Sequence, residues 1–93
     1  MLQKFITREF IEKFNALNNK IARVQIKHVL YGNQNLKRCI LRPFVDGECI
    51  GLIMDDGEKK YFTMDELCGV SINDKTCIIN SDVMELYIDY SEF

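Results

Sequence analysis

Closely spaced turn signals constrain this chain more than any other feature of its sequence. Asp46-Gly47, Asp56-Gly57 and Asn73-Asp74 each stand between short stretches rich in apolar and β-branched residues. Such dipeptides favour the tight turns of β-hairpins, because aspartate, asparagine and glycine readily adopt turn conformations. The second half of the chain is therefore predicted to be a series of short, hairpin-linked antiparallel strands.

The hydrophobic period changes near Lys20. Before it, apolar residues recur at helical spacing, which predicts an amphipathic helix over residues 2–17 that stops near Asn18-Asn19. The helical stripe consists of Leu2, Phe5, Ile6, Phe10, Phe14 and Leu17. From Lys20 onward, apolar and polar residues alternate, which predicts a strand over residues 20–31 with one buried face. That buried face contains Ala22, Val24, Ile26, His28 and Leu30.

The remaining elements follow from turn and capping residues. The polar run at 32–35 predicts a turn before a second strand over 37–45, in which Pro43 indicates an edge or a bulge. Thr63 and Glu66 have the capping-box spacing, and Gly69 suits a helix stop, so 64–68 is predicted to form one helical turn. Residues 82–90 suit a strand or a helix, and the Tyr-Ile-Asp-Tyr ending favours the strand.

Together these elements predict one domain over residues 1–93, of α+β class and mainly β. An N-terminal helix packs on a strongly bent antiparallel sheet of five to six strands. Partial closure into a small SH3-like or Sm-like barrel is the economical way to remove sheet edges. The element order is similar to that of Sm-type RNA-binding barrels in topology alone, since that family's asparagine-bearing and arginine-glycine loops are not found here. We assign no family.

The four cysteines are predicted to be buried free thiols and not a metal site. They stand at positions 39, 49, 68 and 77, whereas zinc knuckles place two ligands about two to four residues apart. If Asp46-Gly47 is a two-residue turn, Phe44 pairs with Cys49, and Cys39 lies opposite Met54. The two thiols then point to different faces, which excludes a disulfide between them.

No assembled active site is visible in the sequence. His28 falls on the predicted buried face, which favours a core histidine with one satisfied nitrogen over a base or a ligand. Phosphate-loop, serine-hydrolase and metalloprotease motifs are missing. Lys37-Arg38 could lower the pKa of an exposed Cys39, but the alternation places this thiol on the apolar face. We therefore expect no enzyme activity, no catalytic residues, no cofactor and no metal.

Charge is strongly segregated along the sequence. Residues 20–45 carry six basic side chains and no acidic one, whereas residues 46–93 carry twelve acidic and three basic side chains. One interpretation gives this charge pattern no binding role: the helix covers the basic segment, or the acidic half balances its charge. The functional interpretation is that the basic segment forms a contact surface.

A hairpin turn centred on residues 33–34 gives the basic segment a defined register. It pairs Arg23 with Phe44, Gln25 with Arg42, Lys27 with Ile40 and Val29 with Arg38. The outward face is then cationic with apolar side chains between the charges. The predicted partner-binding residues are Arg23, Gln25, Lys27, Arg38, Ile40, Arg42 and Phe44.

These features predict a small, cytoplasmic, non-enzymatic interaction or regulatory module that binds a protein partner through the basic hairpin 20–45. One alternative is single-stranded nucleic acid, RNA above all, on the same face, because basic groups beside aromatic rings suit it. A second alternative is an acidic inhibitor of a nucleic-acid-binding protein, of the kind that phages and mobile elements carry. No apolar run is long enough for a membrane span, so no membrane association is expected. The chain is expected to be a monomer or a homodimer.

Overall fold

A computed structural model describes residues 6–91 of the chain. It contains one helix, α1 (Arg8–Asn15), and eight strands. The strands are β1 (Ile21–His28), β2 (Gly32–Ile40), β3 (Pro43–Val45), β4 (Cys49–Ile53), β5 (Lys59–Thr63), β6 (Leu67–Ile72), β7 (Thr76–Ser81) and β8 (Met84–Asp89). One 3₁₀ turn, Met64–Glu66, joins β5 to β6.

The strands form two antiparallel sheets, not the single bent sheet that the sequence predicts. The larger has five strands in the order β2-β1-β8-β7-β6, and the smaller has three in the order β3-β4-β5. The predicted mainly-β class with one helix is confirmed. The predicted barrel closure is not observed, because within residues 6–91 each sheet keeps two edge strands.

Helix α1 is shorter than predicted at its N-terminal end. It begins at Arg8 because Thr7 caps it, with the Thr7 hydroxyl accepting a hydrogen bond from the Phe10 N–H at 3.0 Å. The predicted positions Leu2 and Phe5 lie outside the described residues. The helix also ends two residues earlier than predicted, at Asn15, and a turn over residues 16–19 follows, in which Asn19 has a left-handed φ of 71°.

The predicted hairpins exist, with small shifts at their tips. Asp46 hydrogen bonds across to Cys49, so Gly47 and Glu48 form the first tip, one residue later than predicted. The second loop has three residues, 55–57, and ends at Gly57, whose φ of 87° requires glycine or a strained residue. The third hairpin, around Asn73-Asp74, joins β6 to β7 as predicted.

Three further predictions concern a helix cap, the end of a helical turn and an edge strand. The capping-box spacing is confirmed, because the Thr63 N–H donates to Glu66 Oε1 at 3.1 Å. The helix stop at Gly69 is wrong, since Gly69 lies inside β6. Pro43 begins the edge strand β3, and residues 84–89 form a strand; both agree with the sequence.

One apolar core lies between the two sheets and α1. The helix stripe from Ile6 to Leu17 is buried, and α1 packs chiefly on β3 and β6. The larger sheet contributes alternate residues of each strand, for example Val24, Ile79 and Ile88, and the smaller contributes Ile50, Leu52 and Phe62. The opposite face of the larger sheet is not part of this core. No helix among the described residues is long and apolar enough to cross a membrane.

Candidate functional site

The β1–β2 hairpin turns earlier in the sequence than predicted. Its tip is Val29–Tyr31, and the ladder begins with His28 opposite Gly32. Gly32 has a φ of 78°, which allows the chain to reverse there. The polar run 32–35, predicted to be a turn, is instead the start of β2. The predicted register is therefore wrong.

The true register is set by burial of apolar residues on β2. Leu36 lies opposite Val24 and Cys39 lies opposite Ala22, so these side chains reach the core side of the sheet. Between these pairs β2 has two residues, Lys37 and Arg38, where β1 has one, Arg23. This β-bulge places three exposed basic residues at one point of the ladder.

The seven predicted partner-binding residues fall on two sheets. Arg23, Gln25, Lys27, Arg38 and Ile40 belong to the β1–β2 ladder. Arg42 lies in the connection between β2 and β3, and Phe44 lies in β3 opposite Gly51 of the smaller sheet. The predicted single face of seven residues therefore does not form. The reason is that the chain bends after Ile40 and β3 pairs with β4 instead of β1.

The charge segregation of the sequence does not survive on the outer face of the larger sheet. Strand β1 pairs with β8, so Arg23 lies opposite Asp89 and Lys27 opposite Glu85. The Lys27 Nζ lies 3.8 Å from Glu85 Oε2. Hydrogen bonds from Ser91, with a smaller contribution from the Arg23 charge, hold the pKa of Asp89 below its ordinary value. Acidic residues distant in sequence thus stand beside the basic strand.

The most distinctive surface feature is the hairpin tip itself. Val29, Leu30 and Tyr31 are consecutive, and their exposed fractions are 70%, 78% and 84%. Large apolar side chains exposed to this degree are unfavourable in water. We call these three residues the apolar tip. The alternating pattern of the sequence predicts otherwise, because it extends the strand to residue 31 and places Leu30 on the buried face. That prediction is wrong for Leu30, since β1 ends at His28 and Leu30 lies in the turn.

All three N–H groups of the apolar tip are hydrogen bonded. The Val29 N–H donates to the Val83 carbonyl in the β7–β8 turn at 3.0 Å. The Leu30 and Tyr31 N–H groups both point at His28 Nδ1, at 3.1 Å and 3.4 Å. The His28 and Tyr31 rings lie 4.5 Å apart between centroids. The conformation of the tip is therefore stabilised by His28, at the end of β1, and by the neighbouring β7–β8 turn.

These contacts correct the prediction for His28. It lies at the end of β1, partly exposed, and not in the core. Its Nδ1 accepts hydrogen bonds from the Leu30 and Tyr31 N–H groups of the tip. The imidazole acts as a turn-forming side chain.

A shallow groove adjoins the apolar tip. It has a volume of about 390 Å³ and runs between β1 and the β7–β8 turn. Val29 and Val83 line it together with the charged side chains Lys27, Asp82 and Glu85. Val83 is itself 44% exposed, so it extends the apolar surface of the tip across to this turn.

The thiols are free, as predicted, but not all are buried. Cys39 and Cys77 are buried, Cys49 is half-buried and Cys68 is exposed. Burial raises the pKa of Cys77 to about 12 and, with the Asp55 charge, raises the pKa of Cys39. The Cys68 thiol donates to Asp82 Oδ1 at 3.2 Å, and this bond raises its pKa. Burial, and then the charges of nearby acidic groups, raises the pKa of Cys49 as well, so none of the four has the low pKa of a nucleophilic thiolate.

Within residues 6–91, no three histidine, cysteine or acidic side chains are grouped so that they could hold a metal ion. Comparison of the chain with protein families, with curated proteins and with solved structures finds no match.

Proposed function

We propose that this chain is a non-catalytic interaction module that docks on a protein partner through its β1–β2 hairpin. The observation that carries the proposal is the apolar tip, three consecutive large apolar side chains presented on a hydrogen-bonded turn. Exposed apolar groups of this kind mark contact surfaces on soluble proteins. Tyrosine is in addition among the residues enriched at binding hot spots.

The hydrogen-bonded backbone of the tip supports a binding role and argues against an exposed loop without function. Because the N–H groups of Val29, Leu30 and Tyr31 all have acceptors, the backbone of the tip is already ordered and loses little conformational entropy on docking. A preorganised apolar hairpin tip can enter a concave apolar site on a partner. The charged groups beside it, Lys27 and Glu85, then lie at the rim of the contact, where they favour specificity and orientation.

Nucleic acid is the less favoured partner. The basic strand β1 stands beside Asp89 and Glu85 of β8, and these carboxylates oppose a phosphate backbone along the same face. A filter-binding titration of pooled single-stranded oligonucleotides separates the two functions. Retention at low salt with a steep loss at moderate salt supports the nucleic-acid alternative, and no retention at low salt eliminates it.

Site-specific photocrosslinking in the cells that express the chain tests protein docking. A benzophenone amino acid replaces Tyr31 in one variant and Tyr61 in a control. Tyr61 is a suitable control because it is 48% exposed but lies in β5 of the smaller sheet. We expect a discrete adduct from position 31 that an excess of the unmodified chain suppresses. Purification of the adduct then identifies the partner.

Two results oppose the proposal. One is a lack of any suppressible adduct at position 31. The other is an adduct of equal yield at position 61, which indicates non-specific contact of exposed aromatic positions.

A further inference from the structure

Four hairpins of this chain are closed by the same hydrogen-bond pattern. Where the first strand ends, a side chain accepts from the N–H groups two and three residues further on, as in an Asx turn. The β3–β4, β6–β7 and β7–β8 hairpins do this through the side-chain oxygens of Asp46, Asn73 and Ser81. The β1–β2 hairpin does it through His28 Nδ1, which lies 3.1 Å from the Leu30 nitrogen and 3.4 Å from the Tyr31 nitrogen. A ring nitrogen therefore closes the apolar tip, where oxygens close the other three turns.

The two kinds of acceptor respond differently to pH. Hydrogen bonds from the N–H groups of residues 48 and 49 hold the pKa of Asp46 below its ordinary value of 3.8, so its carboxylate still accepts at about pH 5. An imidazole nitrogen accepts only while it has no proton, since a protonated imidazole has two donors and no acceptor. Histidine is also the side chain whose charge ordinarily changes between about pH 5 and 8. Mild acid therefore removes the closing acceptor of the β1–β2 hairpin and leaves those of the other three turns.

The charged side chains near His28 belong to three elements. Lys27 on β1, Glu85 on β8 and Asp82 in the β7–β8 turn line the same groove as the imidazole. The Lys27 Nζ lies 3.8 Å from Glu85 Oε2, so these two charges balance each other. A protonated imidazole can turn to a carboxylate of this groove, whereas a neutral one can hold the tip.

The other neighbours of His28 carry no charge near neutral pH. The Tyr31 ring lies 4.5 Å from the imidazole between centroids. In the two ladders of β1, Gly32 and Met84 lie opposite His28. Residues 32–36 of β2 have no titratable side chain. The imidazole is thus the group at the base of the tip whose charge changes in mild acid.

We infer that the apolar tip is a pH-dependent switch, which is ordered while His28 is neutral and opens when this imidazole is protonated. Protonation removes the acceptor of the Leu30 and Tyr31 N–H groups and places a positive charge against their dipoles. The Val29 N–H keeps its bond of 3.0 Å to the Val83 carbonyl, so the opening is confined to residues 30–31. Since the tip binds the neutral ring, its order is present above the titration of His28 and is lost as the pH falls through it.

The switch regulates the docking surface proposed above, and its functional meaning rests on that proposal. Leu30 and Tyr31 are two of the three apolar side chains of the tip. A tip that has opened must be ordered again when it docks, which costs conformational entropy and lowers affinity. The chain is therefore expected to dock at neutral pH and to release its partner in mild acid.

An NMR titration of the intact chain from about pH 8 to about pH 5 tests the switch without a partner. The ring signals of His28 report its protonation. Solvent exchange of the Leu30 and Tyr31 amides, corrected for the intrinsic pH dependence of exchange, reports the order of the tip. We expect protection of both amides to fall by about tenfold, with the same midpoint as the ring signals. The amides of Val29 and Ile79 should stay protected.

His28→Asn is the matched control for this titration. The asparagine Oδ1 can accept in place of the imidazole Nδ1, as Asn73 Oδ1 does at the β6–β7 hairpin, and it does not titrate. The Leu30 and Tyr31 amides of this variant should stay protected over the whole range of pH. Thermal melting verifies that the variant folds, and the titration of the unmodified chain needs no variant.

Three results overturn the inference. The first is protection of the Leu30 and Tyr31 amides that does not change while the His28 ring titrates. The second is an equal loss of protection in His28→Asn, which would assign the change to the carboxylates of the groove. The third is a simultaneous loss at Val29 and Ile79, which would indicate unfolding of the sheet.

These outcomes are independent of the photocrosslinking result. A tip that opens in mild acid, in a chain whose position 31 gives no adduct, supports the switch and removes its docking role. An adduct at position 31 with a tip that does not respond to pH supports docking and removes the switch.

Discussion

Gly51 shows how strictly one position can be fixed by a neighbouring backbone. It lies in β4 between Phe44 and Tyr61, and a Cβ atom built on it would stand 2.1 Å from the Lys60 carbonyl oxygen. Since that atom belongs to the backbone of β5, it cannot rotate away. Glycine within a strand is typical of such close approaches.

Gly51→Ala is expected to lower the free energy of unfolding by at least about 2 kcal/mol, because the two strands must separate to admit the methyl group. Gly47→Ala is the control, since nothing lies within 4 Å of its Cβ position and its φ is not left-handed. Its effect should stay within about 0.5 kcal/mol. Urea unfolding of both variants measures the difference, and similar losses for both would refute the account of Gly51.

Tyr90 links the last strand to the β6–β7 turn. Its side chain is buried, and its hydroxyl lies within hydrogen-bond distance of the Asn73 and Thr76 carbonyl oxygens. Burial, and then the negative charges of neighbouring groups, raises its pKa to about 12 from an ordinary value of 10.0. The stability that the protonated phenol contributes is therefore complete below pH 10 and declines as the pH rises toward 12.

Tyr90→Phe should cost about 1–2 kcal/mol near pH 8, because the phenol hydrogen bond is lost. The gap to the unmodified chain should narrow between pH 10 and 12, since the variant has no phenol to ionise. Cys77, whose pKa is also raised to about 12, stays as a source of alkaline destabilisation in both chains. A gap that is constant over this range of pH contradicts the assignment.

Cys68 is the most exposed of the four thiols, and its hydrogen bond to Asp82 raises its pKa. Asp82→Asn removes the carboxylate that raises the pKa of this thiol. The rate of Cys68 alkylation at neutral pH should therefore increase several-fold, because the thiolate is the reacting form. Peptide mapping after timed alkylation measures the rate, with buried Cys77 as the internal reference. An unchanged rate would mean that Asp82 does not control the thiol.

At the scale of elements, the β1–β2 hairpin departs furthest from what the sequence predicts. The strand β1 itself and its buried face from Ala22 to Ile26 are predicted correctly, because period-two alternation is a strong signal. The position of the tip is predicted wrongly because residues 29–31 are apolar, which is typical of a strand, whereas residues 32–35 are polar, which is typical of a turn. The bulge at Lys37-Arg38 depends on burial of both Leu36 and Cys39, which no local pattern reveals.

Two of the three N–H groups in the apolar tip, those of Leu30 and Tyr31, share one acceptor, the His28 side chain. His28→Ala removes the acceptor for the Leu30 and Tyr31 N–H groups. We expect hydrogen exchange of these two amides to accelerate at least about tenfold, while core amides such as that of Ile79 stay protected. The melting temperature should change little, since the two hydrogen bonds that the imidazole accepts are at the surface. Unaltered exchange at both amides would show that the tip is fixed without the imidazole.

At the scale of the whole molecule, the arrangement of strands determines what the charge pattern means. The helix, most hairpins and the final strand follow from local signals in the sequence. The pairing of β1 with β8 does not, because it joins residues about sixty positions apart, and this pairing places Asp89 and Glu85 beside the basic strand. The distribution of charge on the surface is therefore less segregated than in the sequence. The apolar tip replaces the predicted basic face as the principal candidate contact.

The affinity of the partner for a tip variant tests this account most directly. Calorimetric titration compares the unmodified chain with V29S/L30S/Y31S, using the protein crosslinked through position 31, and Y61S serves as the exposed-aromatic control. The triple variant should bind at least about a hundredfold more weakly, because it lacks the apolar anchors, whereas Y61S should bind normally. Affinity of the triple variant within about twofold of the unmodified chain would contradict the claim that the β1–β2 hairpin tip is the docking element.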